Sequence, residues 1–263
     1  MTRRTRRSRL IASARLLAGP RRNARSDQAL ALYLAGIAGA ANAGGFFALG
    51  QYTSHMTGYL SQLADHLVIG DPGIVAVAML AIAAFTAGAV SCTVLVHWAR
   101  QRMGRQQYAL PLAVQGVCLG CFAFGGVFTT APGRLFALAC LCFIMGMQNA
   151  TITKISGARI RTTHATGMIT DIGIECGRAL FHRLRPRGGV AADTARLRLL
   201  LALVGTYGAG GIVGALGYGL VGFHFSWPLA LLLMALSLPA LLHKAPRRGH
   251  GASRPTRPQG PAP

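Results

Sequence analysis

Acid is what this chain most lacks. Six Asp and Glu stand against 27 Lys and Arg in 263 residues, and charged residues together make up 13% of the sequence. A soluble domain is about 25% charged, so a water-facing surface of ordinary composition is excluded. Catalytic fingerprints are missing too. There is no Walker-type lysine loop, no zincin helix motif and no Ser nucleophile elbow, which argues against an ATP-driven pump and against a conventional hydrolase. Cysteine is present only as six scattered thiols, Cys92, Cys118, Cys121, Cys140, Cys142 and Cys176, all inside apolar segments. Cys118-Leu-Gly-Cys121 has the spacing of a redox or metal pair. No second pair or nearby His completes a site, so the thiols read as small packing residues. No metal, cofactor or disulfide framework is implied.

What the chain has is apolar sequence. It is 52% hydrophobic with a mean hydropathy of +0.43. Apolar segments fall at 29–50, 54–70, 73–98, 108–128, 133–152, 164–181, 197–222 and 226–243. About 20 apolar residues cross a bilayer as a helix, and six of the eight segments meet that length. The other two, 54–70 and 164–181, carry His55, Asp65 and His66, and His164, Asp171, Glu175 and Arg178. Loop charge favours leaving these two as short helices that do not cross. Arg100, Arg102, Arg105, Lys154, Arg159, Arg161, Arg183 and Arg185 then share one side with the Arg-rich N-terminal tail, as the positive-inside rule requires. The connectors left on the far side carry no Lys or Arg. The net charge of +21 is thereby explained by lipid headgroups, and no nucleic-acid partner is expected. The N-terminus lacks the layout of a signal peptide.

One motif occurs twice. Asn42-Ala43 is followed by His55-Met56-Thr57-Gly58, and Gln148-Asn149-Ala150 by His164-Ala165-Thr166-Gly167. The two Thr-Gly pairs lie 109 residues apart, and the Asn-to-Thr spacing differs by two. Three spans precede the midpoint and three follow it, so the second unit enters the membrane with opposite polarity. This is an inverted-topology repeat, an architecture of transporters. Thr86-Ala87-Gly88-Ala89 and Thr206-Tyr207-Gly208-Ala209 look like a further correspondence.

The chemistry of the motif follows from helix ends. Thr53-Ser54 and Thr162-Thr163 stand where N-caps belong. A helix N-terminus carries about half a positive charge, and its free N–H groups at membrane depth must meet protein or a ligand. Candidate solute-binding residues are therefore Asn42, His55, Thr57, Gly58, Gln148, Asn149, His164, Thr166 and Gly167. The alternative for all of them is tight helix packing. Asp65 joins the candidates because an acid inside a membrane helix is costly. Asp171 and Glu175 share a helix face and are read as partners of Arg178.

At these motifs the chain resembles the YoaK-like family of bacterial integral membrane proteins. Met145-Gly146-Met147-Gln148-Asn149-Ala150 followed by Thr162-Thr163-His164-Ala165-Thr166-Gly167 looks like that family's Gly-x-Gln-Asn-Ala and Thr-Thr-x-x-Thr-Gly pattern. Met56-Thr57-Gly58 fits the first copy. Asn42 stands where the family usually has Asp, and Tyr59 where it usually has Asn. The resemblance covers roughly residues 30–243, implies a bacterial inner-membrane protein, and supplies no substrate.

The reading is an all-α polytopic membrane protein of six spans and two short Thr-Gly helices. A basic cytoplasmic tail (1–28) precedes repeat 1 (29–132) and repeat 2 (133–244), and a basic Pro/Gly-rich tail (245–263) ends the chain. The expected function is secondary transport or a channel for a small solute, in the bacterial inner membrane with both termini cytoplasmic. The alternative is a membrane scaffold that binds partners. Self-association is compatible with either.

Overall fold

The computed structural model of the chain describes residues 24–103, 108–124, 130–155, 165–185 and 191–242. Residues 1–23 of the N-terminal tail, the whole C-terminal tail, Thr162-Thr163 and His164 lie outside the described residues, and the first helix begins inside the expected tail, at Ala24. Every regular element among the described residues is helical: α1 (Ala24–Leu49), α2 (Met56–Ile69), α3 (Pro72–Met103), α4 (Ala109–Phe122), α5 (Ala131–Ile155), α6 (Ala165–Leu184), α7 (Thr194–Val221), a 3₁₀ turn (Gly222–Phe225) and α8 (Ser226–Leu242).

Their ends have local causes. Pro72 opens α3 at a position that needs no N–H, and Asp71 Oδ1 accepts from Gly73 N at 3.0 Å and Ile74 N at 3.2 Å. Asp193 caps α7 in the same way, accepting from Ala195 N at 3.0 Å and Arg196 N at 2.9 Å. Gly70, at φ +83°, closes α2 in the left-handed region that glycine enters without steric cost. The α3 helix runs past the apolar segment to Met103, because His97-Trp98-Ala99-Arg100 contains no residue that stops a helix.

Among the described residues four stretches are long and apolar enough to cross a membrane: Ser26–Phe47, Pro72–Arg102, Ala131–Lys154 and Thr194–Leu242. The last has 49 residues. At 1.5 Å per residue that is about 73 Å, more than twice the ~30 Å hydrocarbon layer. It is broken at Gly222, where φ is +60°. The α4 helix is a shorter apolar element. Neither Thr-Gly helix is among the membrane-length stretches.

The helices form an inner and an outer set. In α1 and α5, 72% and 67% of the apolar window is buried, against 17% in α3. Leu30 and Leu34 of α1 and Leu141, Ile144 and Met145 of α5 are fully enclosed. Outside, Met79, Val90 and Val94 on α3 and Ile212, Leu216 and Leu220 on α7 are exposed. Large aliphatic side chains left outward in such numbers belong against lipid tails, not water.

Packing pairs α1 with α7, α3 with α5 and α4 with α8, with α2 lying on α3 and α6 on α7. Two crossings bring backbones together through glycine. At the first, a Cβ on Gly39 would overlap the Tyr207 carbonyl, and one on Gly210 would overlap the Gly36 carbonyl. At the second, a Cβ on Gly146 would overlap the Phe85 carbonyl, and one on Gly88 the Phe143 carbonyl. Such approach is how helices associate in lipid, where no hydrophobic force draws them together. Gly36 and Phe143, and Gly39 and Gly146, are each 107 residues apart, as are Asn42 and Asn149. Phe85 and Tyr207, and Gly88 and Gly210, are each 122 apart, as are the capping residues Asp71 and Asp193. The spacing of Thr86 and Thr206 differs from this one by two residues. Gly208 has open space beside it, whereas Gly88 and Gly210 each meet a facing carbonyl.

Candidate functional site

The α1 helix carries Asn42 about two-thirds along its length, where the residue is 8% exposed. After α1 the chain turns back so that Ser54 reaches it. The Asn42 Oδ1 accepts from Ser54 N and from Ser54 Oγ, each at 3.1 Å. The first donor is a backbone N–H, so the amide orientation is set by chemistry. The Ser54 hydroxyl spends its proton on Asn42, so Tyr207 must donate its own to Ser54 Oγ, at 3.3 Å. This chain of bonds ties α7, the α1–α2 connection and α1 together. It also corrects the capping role expected of Ser54. The residue at the start of α2 is His55, and no side chain caps that helix.

The N-termini of α2 and α6 meet at a cavity of about 460 Å³. Asn42, His55 and Thr57 from the first half line it with Asn149, Thr166 and Gly167 from the second. Phe85 and Tyr207, from the two glycine crossings, are on its wall, with Tyr52, Ser54, Met56 and Ala165. Both copies of the motif thus face one space, although 109 residues separate their Thr-Gly pairs. Thr57 and Thr166 are exposed to it rather than packed, and a Cβ on Gly167 would meet nothing within 4 Å.

Three other candidates lie elsewhere. Gly58 packs under its own helix end, where a Cβ would overlap the His55 ring. Gln148 is fully buried, and its Nε2 donates to the Leu34 carbonyl at 2.6 Å, so it joins α5 to α1. Asp65 is exposed, about two turns beyond Thr57 along α2, and is not among the lining residues.

The remaining acids are structural in position. Glu175 is 1% exposed and forms an ion pair with Arg178 at 2.8 Å, as read from spacing. Its second oxygen accepts from Asp193 N at 2.9 Å. Asp171 pairs instead with Arg196 of α7, at 2.9 Å. These bonds fasten the far end of α6 to the start of α7. Sequence reasoning overlooked Tyr52, Phe85 and Tyr207. The one available signal was the 122-residue spacing that Asp71 and Asp193 share with Phe85 and Tyr207.

Membrane-length helices with lipid-facing aliphatic surfaces, packed around a partly open cavity of mixed polar and aromatic lining, define a multi-pass α-helical membrane protein. More particularly, the chain belongs to the family described as protein of unknown function (DUF1275), which matches residues 30–238. No curated protein and no solved structure matches it.

Proposed function

We propose that this protein is a secondary transporter or channel for a small solute, and that the cavity between the two Thr-Gly helices is the solute site. One observation carries the reading: both copies of a duplicated polar motif line a single space of about 460 Å³ inside an apolar helical bundle. A purely structural motif has no reason to leave Thr57 and Thr166 unpacked on a shared cavity wall. The proposal includes six spans, with α4 and α8 as the third and sixth, and halves 29–132 and 133–244 related by a pseudo-two-fold axis in the membrane plane. The constant 107- and 122-residue spacings at the two glycine crossings support that relation. In such bundles the halves rock about a fixed central site. Placement in a bacterial inner membrane with both termini cytoplasmic follows the charge of the connectors and the resemblance to YoaK-like proteins.

Replacing Thr57 and Thr166 together by Val tests the site. Neither side chain is buried, so expression and folded yield should stay at wild-type levels while uptake or efflux is lost. Gly167→Leu places a large side chain where nothing stands within 4 Å and should block the same flux. Undiminished transport by either variant would end the proposal. The scaffold reading is favoured only by the Asn42–Ser54 bonds, which are structural; it requires the Thr variants to lose folded yield.

A further inference from the structure

We infer that the solute is a small organic anion, whose oxyanion head is held by Asn42 and the start of α2; this rests on the cavity being the solute site. The Asn42 amide is more than nine-tenths buried, and its oxygen is fully engaged by Ser54. Among the described residues its Nδ2 bonds no other group, and the side chain lines the cavity, so its two N–H donors are left for a ligand there. The first turn of α2 adds to them. No side chain caps this helix, in contrast to α7, where Asp193 satisfies two N–H groups. Uncapped N–H groups and the positive end of the helix favour negative charge.

The lining supports the same sign. Among the described residues no Asp or Glu borders the cavity, so no carboxylate among them repels an anion or neutralises a cation. An amide with both N–H donors free satisfies an oxyanion better than it does an ammonium group. The rest of the wall decides between inorganic and organic. Tyr52, Phe85 and Tyr207 offer aromatic surface and Met56 an adaptable apolar one, and about 460 Å³ is far more room than a bare inorganic ion fills. An anion with a flat apolar body matches both halves of the site.

Benzenesulfonate is a suitable probe because it stays charged and does not leak through lipid as a neutral acid. Benzenesulfonamide and benzyltrimethylammonium are its neutral and cationic counterparts. The full chain, purified in detergent and reconstituted into phosphatidylethanolamine–phosphatidylglycerol vesicles, should be thermally stabilised by benzenesulfonate and carry it saturably. The two counterparts should do neither. Asn42→Asp keeps the acceptor for Ser54 but replaces the donors with a charge. Burying a carboxylate should lower the ligand-free unfolding temperature somewhat, and at a temperature where both proteins are folded the variant should bind benzenesulfonate more weakly by roughly tenfold or more. If a neutral or cationic probe binds and Gly167→Leu abolishes that binding, the anion assignment falls and the solute site stands. Binding of benzenesulfonate that survives both Asn42→Asp and Gly167→Leu overturns the inference and the site together. Absence of benzenesulfonate binding to the wild type overturns the inference alone.

Discussion

Gly210→Ala probes the α1–α7 crossing, and its size follows from the backbone. A Cβ at Gly210 would overlap the Gly36 carbonyl oxygen and stand 2.8 Å from both the carbonyl carbon and Cα of Gly36. Carbon atoms rest at about 3.5–4.0 Å, so the two helices must part by roughly 1 Å. Overpacking costs about 1–3 kcal/mol, and an overlap with backbone, which cannot turn aside as a side chain can, falls at the upper end, about 2–3 kcal/mol. Alanine recovers part of this, because glycine is about 0.8–1.0 kcal/mol worse in a helix interior. The net loss is about 1–2 kcal/mol. For a chain of this length that lowers the unfolding midpoint by about 2–8 °C. Gly208, two residues earlier on the same helix, has nothing within 4 Å, so Gly208→Ala keeps only the helix-propensity gain and should be neutral or slightly stabilising. Gly88→Ala, against the Phe143 carbonyl of the other crossing, should fall in step with Gly210→Ala. The assay is the thermal unfolding midpoint of the four purified proteins in one detergent. Equal loss in the Gly208 and Gly210 variants, or no loss in Gly210→Ala, would refute the 122-residue register.

Three further outcomes are expected. Glu175→Ala removes the acceptor of a backbone N–H and the buried partner of a half-exposed Arg178 and should cost about 1–3 kcal/mol, with Glu175→Gln costing less; both are read by unfolding in detergent and should leave ligand binding unchanged. Arg196→Ala removes a half-exposed partner of Asp171 and should cost no more than about 1 kcal/mol by the same measurement. Gln148→Met removes the donor to Leu34 together with a buried amide oxygen that has no partner, so its stability change should stay within about 1.5 kcal/mol; a collapse of folded yield would show that this bond carries more.

Much of the fold was readable because lipid makes each helix declare itself. A backbone in hydrocarbon must satisfy its own polar groups, so apolar segments and helices nearly coincide. Segment 54–70 became Met56–Ile69 and segment 226–243 became Ser226–Leu242. The duplicated Thr-Gly motif was legible for a different reason: its polar residues stand out against apolar surroundings. The register of α3 against α7 was not legible. Gly205, Gly208, Gly210, Gly211 and Gly214 crowd one helix, and several alignments look equally good until a facing carbonyl selects one. Ser54 was read as a helix cap because caps are local, whereas its partners Asn42 and Tyr207 are 12 and 153 residues away. The aromatic wall escaped notice because Phe85 and Tyr207 differ in type and come together only through the two crossings.

The inverted arrangement of the halves is tested most directly by labelling single cysteines from outside intact cells. In a background without the six native thiols, Pro72→Cys and Thr130→Cys should react with a membrane-impermeant maleimide, and Arg102→Cys and Arg185→Cys should react only after the cells are opened. Labelling of Arg102→Cys in intact cells would place the end of α3 outside and contradict the arrangement.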